Sequence, residues 1–264
     1  MAARNFLFAA DDADAALTRF IAAVARATGF MDGAPGGWMP GWHQVGRDNR
    51  ALLETLYARL AASYPKAGQP FYAVRLWTNL MWQPAYLAVL AVHVHGALPA
   101  LAGLSQAVRG VDVSGYRLAP GPQWRDTDPA MIARAGRDLR AMGDAVLAEI
   151  NNVTRLKRLP ALRLLADRML GLMLRLDTYR PGTGLAEQRQ FCALWLEAMS
   201  LVGQGDLEIL ALQDGTRVPI IARKGCCLDY LAFPGTYCAS CPKQDETVRL
   251  ERQRQNAIAE RQAG

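Results

Sequence analysis

The sequence lacks the usual anchors for nucleotide and nucleic-acid chemistry. No Gly-x-Gly-x-x-Gly opens a helix after a strand and no other nucleotide fingerprint is present, so direct NAD(P)H or flavin chemistry is not indicated. There is no polybasic run. The formal net charge of +6 is spread along 264 residues, which does not imply nucleic acid. A diffuse positive field suits instead an anionic ligand, an acidic partner protein or a peripheral position at the inner membrane. No internal repeat or low-complexity segment stands out.

Long apolar runs are also missing. No Asp, Glu, Lys or Arg occurs between Arg75 and Arg109, but Pro84 and Gly96 bracket only about 12 residues. Those make roughly 18 Å of helix against a hydrocarbon core of about 30 Å, which predicts a buried core helix and not a membrane span. The apolar stretch from Asn5 to Ala10 is short and runs into Asp11, Asp12 and Asp14, which a secretory leader would not carry. The expectation is a cytoplasmic protein.

What is present is helical periodicity. Asp11 to Gly29 carries Leu17, Phe20, Ile21 and Val24 on one face, and Asn49 to Ser63 carries Leu53, Leu56, Tyr57 and Leu60. Tyr72 to Gly96 is expected to be helical on either side of Pro84. Asp128 is expected to cap a helix with Pro129 at its first position and an apolar face from Met131 to Ile150. Further helices are expected from Pro160 to Leu176, from Gly184 to Val202 and, sparsely apolar, from Asp245 to Gln262. The Gly-, Pro- and Trp-rich residues Met31 to Gly46 are expected to form a loop, and Leu98 to Arg125 a linker.

The period changes toward two at Leu207 to Leu212 and Arg217 to Ala222, which flank Gln213, Asp214 and Gly215 as a β-hairpin. The fold expected is mainly α, a helical body whose small β-hairpin leads into a C-terminal cysteine motif. We divide it into an N-terminal helical region, 1–120, and a C-terminal helical region, 121–264, holding the hairpin (207–222) and the motif (223–242).

Five cysteines in a chain expected to be cytoplasmic should be reduced, and four of them form Cys226-Cys227, ten residues, Cys238-x-x-Cys241. A Cys-x-x-Cys turn lets two thiolates converge on one metal, in zinc and iron–sulfur sites alike. Structural zinc usually draws on two separated knuckles, and adjacent residues in extended chain point to opposite faces. The adjacent pair therefore suits a wider object or needs a turn, for which Gly225 is placed. Pro234 and Gly235 let the intervening chain fold back. Spacing alone leaves iron–sulfur, zinc and a reactive dithiol open. Cys192, between Phe191 and Leu194, reads as a small core residue.

The run Arg223-Lys224-Gly225-Cys226-Cys227 through Cys238-Ala239-Ser240-Cys241-Pro242 resembles the C-terminal [2Fe–2S] motif of ferric-siderophore reductases of the FhuF type. Those place a basic pair, one small residue, Cys-Cys, ten residues, Cys-x-x-Cys and often proline. The likeness is close over about twenty residues; the helical body is similar only in size and layout. It implies that Cys226, Cys227, Cys238 and Cys241 hold a [2Fe–2S] cluster for one-electron reduction of ferric siderophores. It also implies an external electron donor, a ferredoxin or a flavin-dependent reductase. Gly225, where relatives often have serine, is a departure expected to alter one hydrogen bond to sulfur.

Candidate contacts for substrate or donor are Arg223 and Lys224 beside the motif, and Trp38, Trp42 and His43 in the Gly-rich segment. His93 and His95 lie two apart and are expected to be buried and hydrogen-bonded, not a metal pair. From a different class, the same sequence is compatible with a non-redox binding protein built on a structural zinc site with four cysteine ligands. Kinship to siderophore-biosynthesis ligases ranks last, because the chain is too short for their full synthetase.

Overall fold

In the computed structural model, which describes residues 10–263, the chain is mainly α-helical, with a four-stranded sheet and a separate hairpin. Helix α1 (Ala10–Thr28) buries Leu17, Phe20, Ile21 and Val24, as their spacing predicts, and stops at Gly29. The apolar residues 5–9 lie outside the described residues.

The Gly-rich segment is not the expected loop. It contains β1 (Gly33–Pro35) and β2 (Trp42–Gln44), and the expected linker contains β3 (Ser105–Arg109) and β4 (Asp112–Leu118). The sheet order is β1-β4-β3-β2, with β1 parallel to β4 and the other pairs antiparallel. Glycine at 33 reflects close approach, since a Cβ there would lie 2.2 Å from the Tyr116 ring. Leu98 and Trp124 then exchange backbone hydrogen bonds of 2.8 and 3.0 Å, closing the supposed linker into the body. One continuous core runs from Leu17 to Leu201, across position 120.

Helix α2 (Arg50–Ser63) leads to α3 (Gln69–Leu90), which holds the first part of the charge-free run and is buried along most of its length. Pro84 does not divide it. Proline at 84 has no N–H for the carbonyl of Leu80, and the Gln106 side chain on β3 supplies one at 3.1 Å. Gln106 also donates to the Gln83 side chain at 3.1 Å. Beyond Leu90 the helix widens into a π turn, Ala91–His95. His93 there accepts the Trp195 Nε1 hydrogen at 3.0 Å, and His95 pairs with Gln123 at 2.8 Å. Among the described residues no helix is long and apolar enough to cross a membrane.

Helices α4 (Asp128–Asn151), α5 (Arg158–Leu174) and α7 (Leu185–Ala198) pack against α3 or one another, with the single turn α6 (Leu176–Tyr179) between α5 and α7. The cap of α4 is Thr127, one residue earlier than expected, and the Asp128 carboxylate instead accepts Arg180 at 2.7 Å. α5 begins two residues ahead of Pro160, because the N–H groups of a first turn have no partner within the helix.

Strands β5 (Asp206–Ala211) and β6 (Arg217–Ala222) form the expected hairpin, in register from Asp206↔Ala222 to Ala211↔Arg217. After it come the single turn α8 (Asp229–Ala232) and the last helix, α9 (Glu246–Ala263), which is less idle than its composition suggests. Its Leu250 and Ile258 pack on Leu210, Leu212 and Ile220, giving the hairpin a small core of its own.

Candidate metal centre and adjoining cavity

The cysteine motif leaves β6 and runs along α5. The Asp167 carboxylate on α5 accepts the backbone N–H of Gly225 at 2.8 Å and that of Lys224 at 3.3 Å. The chain is so close to the helix that a Cβ on residue 225 would meet the Leu164 nitrogen at 2.8 Å. Glycine at this position is thus a packing requirement, where the sequence suggested only an altered hydrogen bond.

The turn after the adjacent cysteines comes from Leu228, with φ 60° and ψ 13°, and not from Gly225. This left-handed conformation costs a non-glycine residue about 1–2 kcal/mol. It brings the Leu228 N–H to the Cys226 sulfur and the Asp229 N–H to the Cys227 sulfur. The intervening chain includes α8, tied to α3 by Arg75 and Asp229 at 2.8 Å. It then reverses at Pro234-Gly235, closed by the Thr236 N–H on the Phe233 carbonyl at 3.1 Å. Tyr230 and Tyr237 stack across the loop, with centroids 5.4 Å apart. The Cys-x-x-Cys turn is held by Cys241 N–H to Cys238 carbonyl at 3.0 Å and by the Gln244 side chain on that carbonyl at 2.8 Å.

All five cysteines are free, and the four of the motif meet as two pairs, Cys226 with Cys241 and Cys227 with Cys238. Cys241 is buried and Cys238 exposed. The side chains of Cys227 and Cys238 interact, which pushes Cys227 down to about 6 and Cys238 up. Burial pushes Cys226 up. Among the described residues no three His, Cys, Asp or Glu side chains converge as ligands of a single metal ion. The donor set fits a group that takes thiolates two by two: four free sulfurs, backbone N–H groups on two of them, and the Arg223 guanidinium 3.4 Å from Cys238. Cys192 stands apart on α7, buried, its thiol pushed up to about 12 by that burial.

Cys227, Cys238 and Arg223 open onto a cavity of about 320 Å³ between α3 and α5. Trp77, Met81 and Trp82 from α3 form its apolar wall. Its basic residues include Arg75 from α3 and Arg168 and Arg175 from the α5 side. Nothing in the sequence singled out these three, because they come from two helices and their exposure to one cavity cannot be read from spacing.

The other expected contacts lie elsewhere. Lys224 turns away to the Gly203 carbonyl at 3.0 Å and Asp206 at 3.7 Å. Trp38, Trp42 and His43 do not line this cavity. Trp38 donates to the Trp42 carbonyl at 2.8 Å, Trp42 pairs with Ala107 in the sheet, and the buried His43 meets Glu149 at 2.8 Å. Trp42 and His43 belong to the sheet and its junction with α4, and Trp38 to the connection between β1 and β2.

The chain matches no protein-family model and no solved structure.

Proposed function

We propose that this protein is a ferric-siderophore reductase, lowering siderophore-bound Fe³⁺ to Fe²⁺ by one electron, with a [2Fe–2S] cluster held by Cys226, Cys227, Cys238 and Cys241. The observation that carries this reading is the two-by-two meeting of the thiols at the wall of a basic cavity. When bound, such a cluster supplies a one-electron carrier whose potential follows the charge and hydrogen bonds around its sulfurs. The residues supply the rest. Leu228 and Asp229 N–H groups and Arg223 would compensate negative charge on the sulfurs, and a ferric complex bound in the cavity would lie beside Cys227 and Cys238.

The balance is simple. An external donor, a ferredoxin or a flavin-dependent reductase, gives one electron, the ferric ion takes it, and no covalent bond is made. Hard anionic oxygen ligands hold Fe²⁺ less tightly than Fe³⁺, so reduction is release. We place the reaction in the cytoplasm, where five free cysteines stay reduced.

Protein purified without oxygen should contain about two iron and two acid-labile sulfide per chain and lose visible absorption on reduction. The reduced protein should be reoxidised by a ferric siderophore. Replacing any of the four motif cysteines with serine should abolish the colour, and Cys192→Ser should preserve it. A colourless protein with one zinc and no sulfide would sink this reading in favour of a zinc-stabilised binding protein.

A further inference from the structure

The cavity carries more positive charge than its own carboxylates answer. Arg75 is taken by Asp229 at 2.8 Å, and Arg223 by Asp167 at 3.6 Å. Among the described residues the other two guanidinium groups have no carboxylate partner. Arg175, at the exposed end of α5, donates to the Gly171 carbonyl at 3.3 Å and the Tyr86 hydroxyl at 3.5 Å, and among the described residues no carboxylate pairs with it. Arg168 is part-buried, and among the described residues no acceptor is hydrogen-bonded to it. Burial pushes Arg168 below the ordinary arginine range; Tyr86 opposes this, and Arg175 and Arg223 add to it.

A part-buried charge without a partner destabilises the fold that holds it, so its retention here points to a ligand that completes it. The two groups are seven residues apart, two turns along one helix face, and can engage separate oxygens of one ligand. Opposite them stands the apolar wall of Trp77, Met81 and Trp82, against which the carbon frame of a chelate can rest. A volume of about 320 Å³ holds a small chelate or one arm of a larger one.

We propose that this cavity is an anion site in which Arg168 and Arg175 select ferric complexes with net negative charge, carried on carboxylate or phenolate oxygens, over neutral hydroxamate complexes. That the ligand is a ferric complex rests on the reductase reading; the sign of its charge rests on the arginines.

The test uses gallium(III) complexes, which bind like ferric ones and accept no electron: the citrate complex, a catecholate complex and a neutral trihydroxamate complex. Binding to the full chain is followed by quenching of tryptophan fluorescence. At least one anionic complex should bind about 10-fold or more tighter than the neutral one, and Arg168→Gln and Arg175→Gln should each lose about 10-fold of that affinity. Citrate against catecholate identifies the oxygen type. Arg168→Met should raise the melting temperature of the ligand-free protein, since it removes an uncompensated charge. Equal affinity for neutral and anionic complexes would overturn the proposal, as would undiminished binding by Arg168→Gln and Arg175→Gln. So would an Arg168→Met protein that melts lower and binds normally, which assigns the arginine to the fold. Because gallium tests no electron transfer, binding without iron and sulfide would defeat the reductase reading alone.

Discussion

Asp167 on α5 and Gly225 ahead of the first cysteine are joined by a hydrogen bond of 2.8 Å, and Asp167 also holds Lys224 N–H at 3.3 Å. Asp167 is buried, so its carboxylate is pushed up by burial and held down by Gly225, Arg223 and Lys224. It anchors the chain that delivers Cys226 and Cys227. Asp167→Ala removes a charged acceptor and strands two N–H groups, which should cost about 2–4 kcal/mol. Urea unfolding should show that loss, together with reduced metal content; Asp167→Asn, with one acceptor oxygen, should lose less. Unchanged stability and metal content in Asp167→Ala would refute the anchoring role.

A side chain at position 225 would crowd the same helix. A Cβ there falls 2.8 Å from the Leu164 nitrogen and 3.0 Å from the Arg163 carbonyl carbon, backbone atoms that cannot rotate away. Gly225→Ser should therefore destabilise by about 1–3 kcal/mol, the range for overpacking, and shift the cysteine loop off α5. A Gly225→Ser protein with wild-type stability and spectrum would mean that this contact has room to relax.

How much of this could be read from sequence differs by element. The helices were legible because their apolar residues recur at three and four, and the β5–β6 hairpin because Gln213-Asp214-Gly215 sits between alternating runs. The four-stranded sheet was not. Its outer strands have three residues each, too few to show a period, and Gly33 pairs with Tyr116, far away in the chain. His43 looked available for a cleft, but its partner Glu149 is 106 residues on. The cysteine pairs were legible as a group through spacing, while their turn at Leu228 was not, since leucine carries no signal for a left-handed backbone. Nor can periodicity distinguish an arginine that faces an anion from one that faces water.

Pro84 and Gln106 make a second pair whose relation is testable. The Gln106 amide replaces the N–H that proline cannot give to Leu80, in a buried setting where an orphaned carbonyl costs about 1–3 kcal/mol. Gln106→Leu should lose about that much. In a Pro84→Ala background, residue 84 has its own N–H for Leu80, so the same Gln106→Leu change should cost clearly less. A double-mutant cycle measured by urea unfolding gives the coupling directly. Additive effects would show that Gln106 acts through packing or through Gln83, and not by answering the proline.

The acid sensitivity of the fold should centre on His93. Its Nε2 accepts the Trp195 hydrogen at 3.0 Å, Phe191 covers the ring at 4.5 Å, and Asp128 lies 4.0 Å from Nδ1. Burial pushes the imidazole down to about 4; Asp128 acts to raise it and Arg180 to lower it. In the unfolded chain the same group titrates near 6.5. Between these values the unfolded state binds the proton and the folded state refuses it. Stability is therefore intact above about pH 6.5, declines as pH falls, and stops declining below about pH 4, for a total of about 3 kcal/mol from this group. Protonation would also take away the lone pair that receives the Trp195 hydrogen. His93→Gln removes the titration, so the difference in unfolding free energy between wild type and variant should shrink in the acid direction across that window. Comparison by urea unfolding at about pH 7 and about pH 4.5 cancels the carboxylates common to both proteins. If the two lose stability in parallel, His93 takes up its proton equally well folded and unfolded, and burial does not exclude the charged ring.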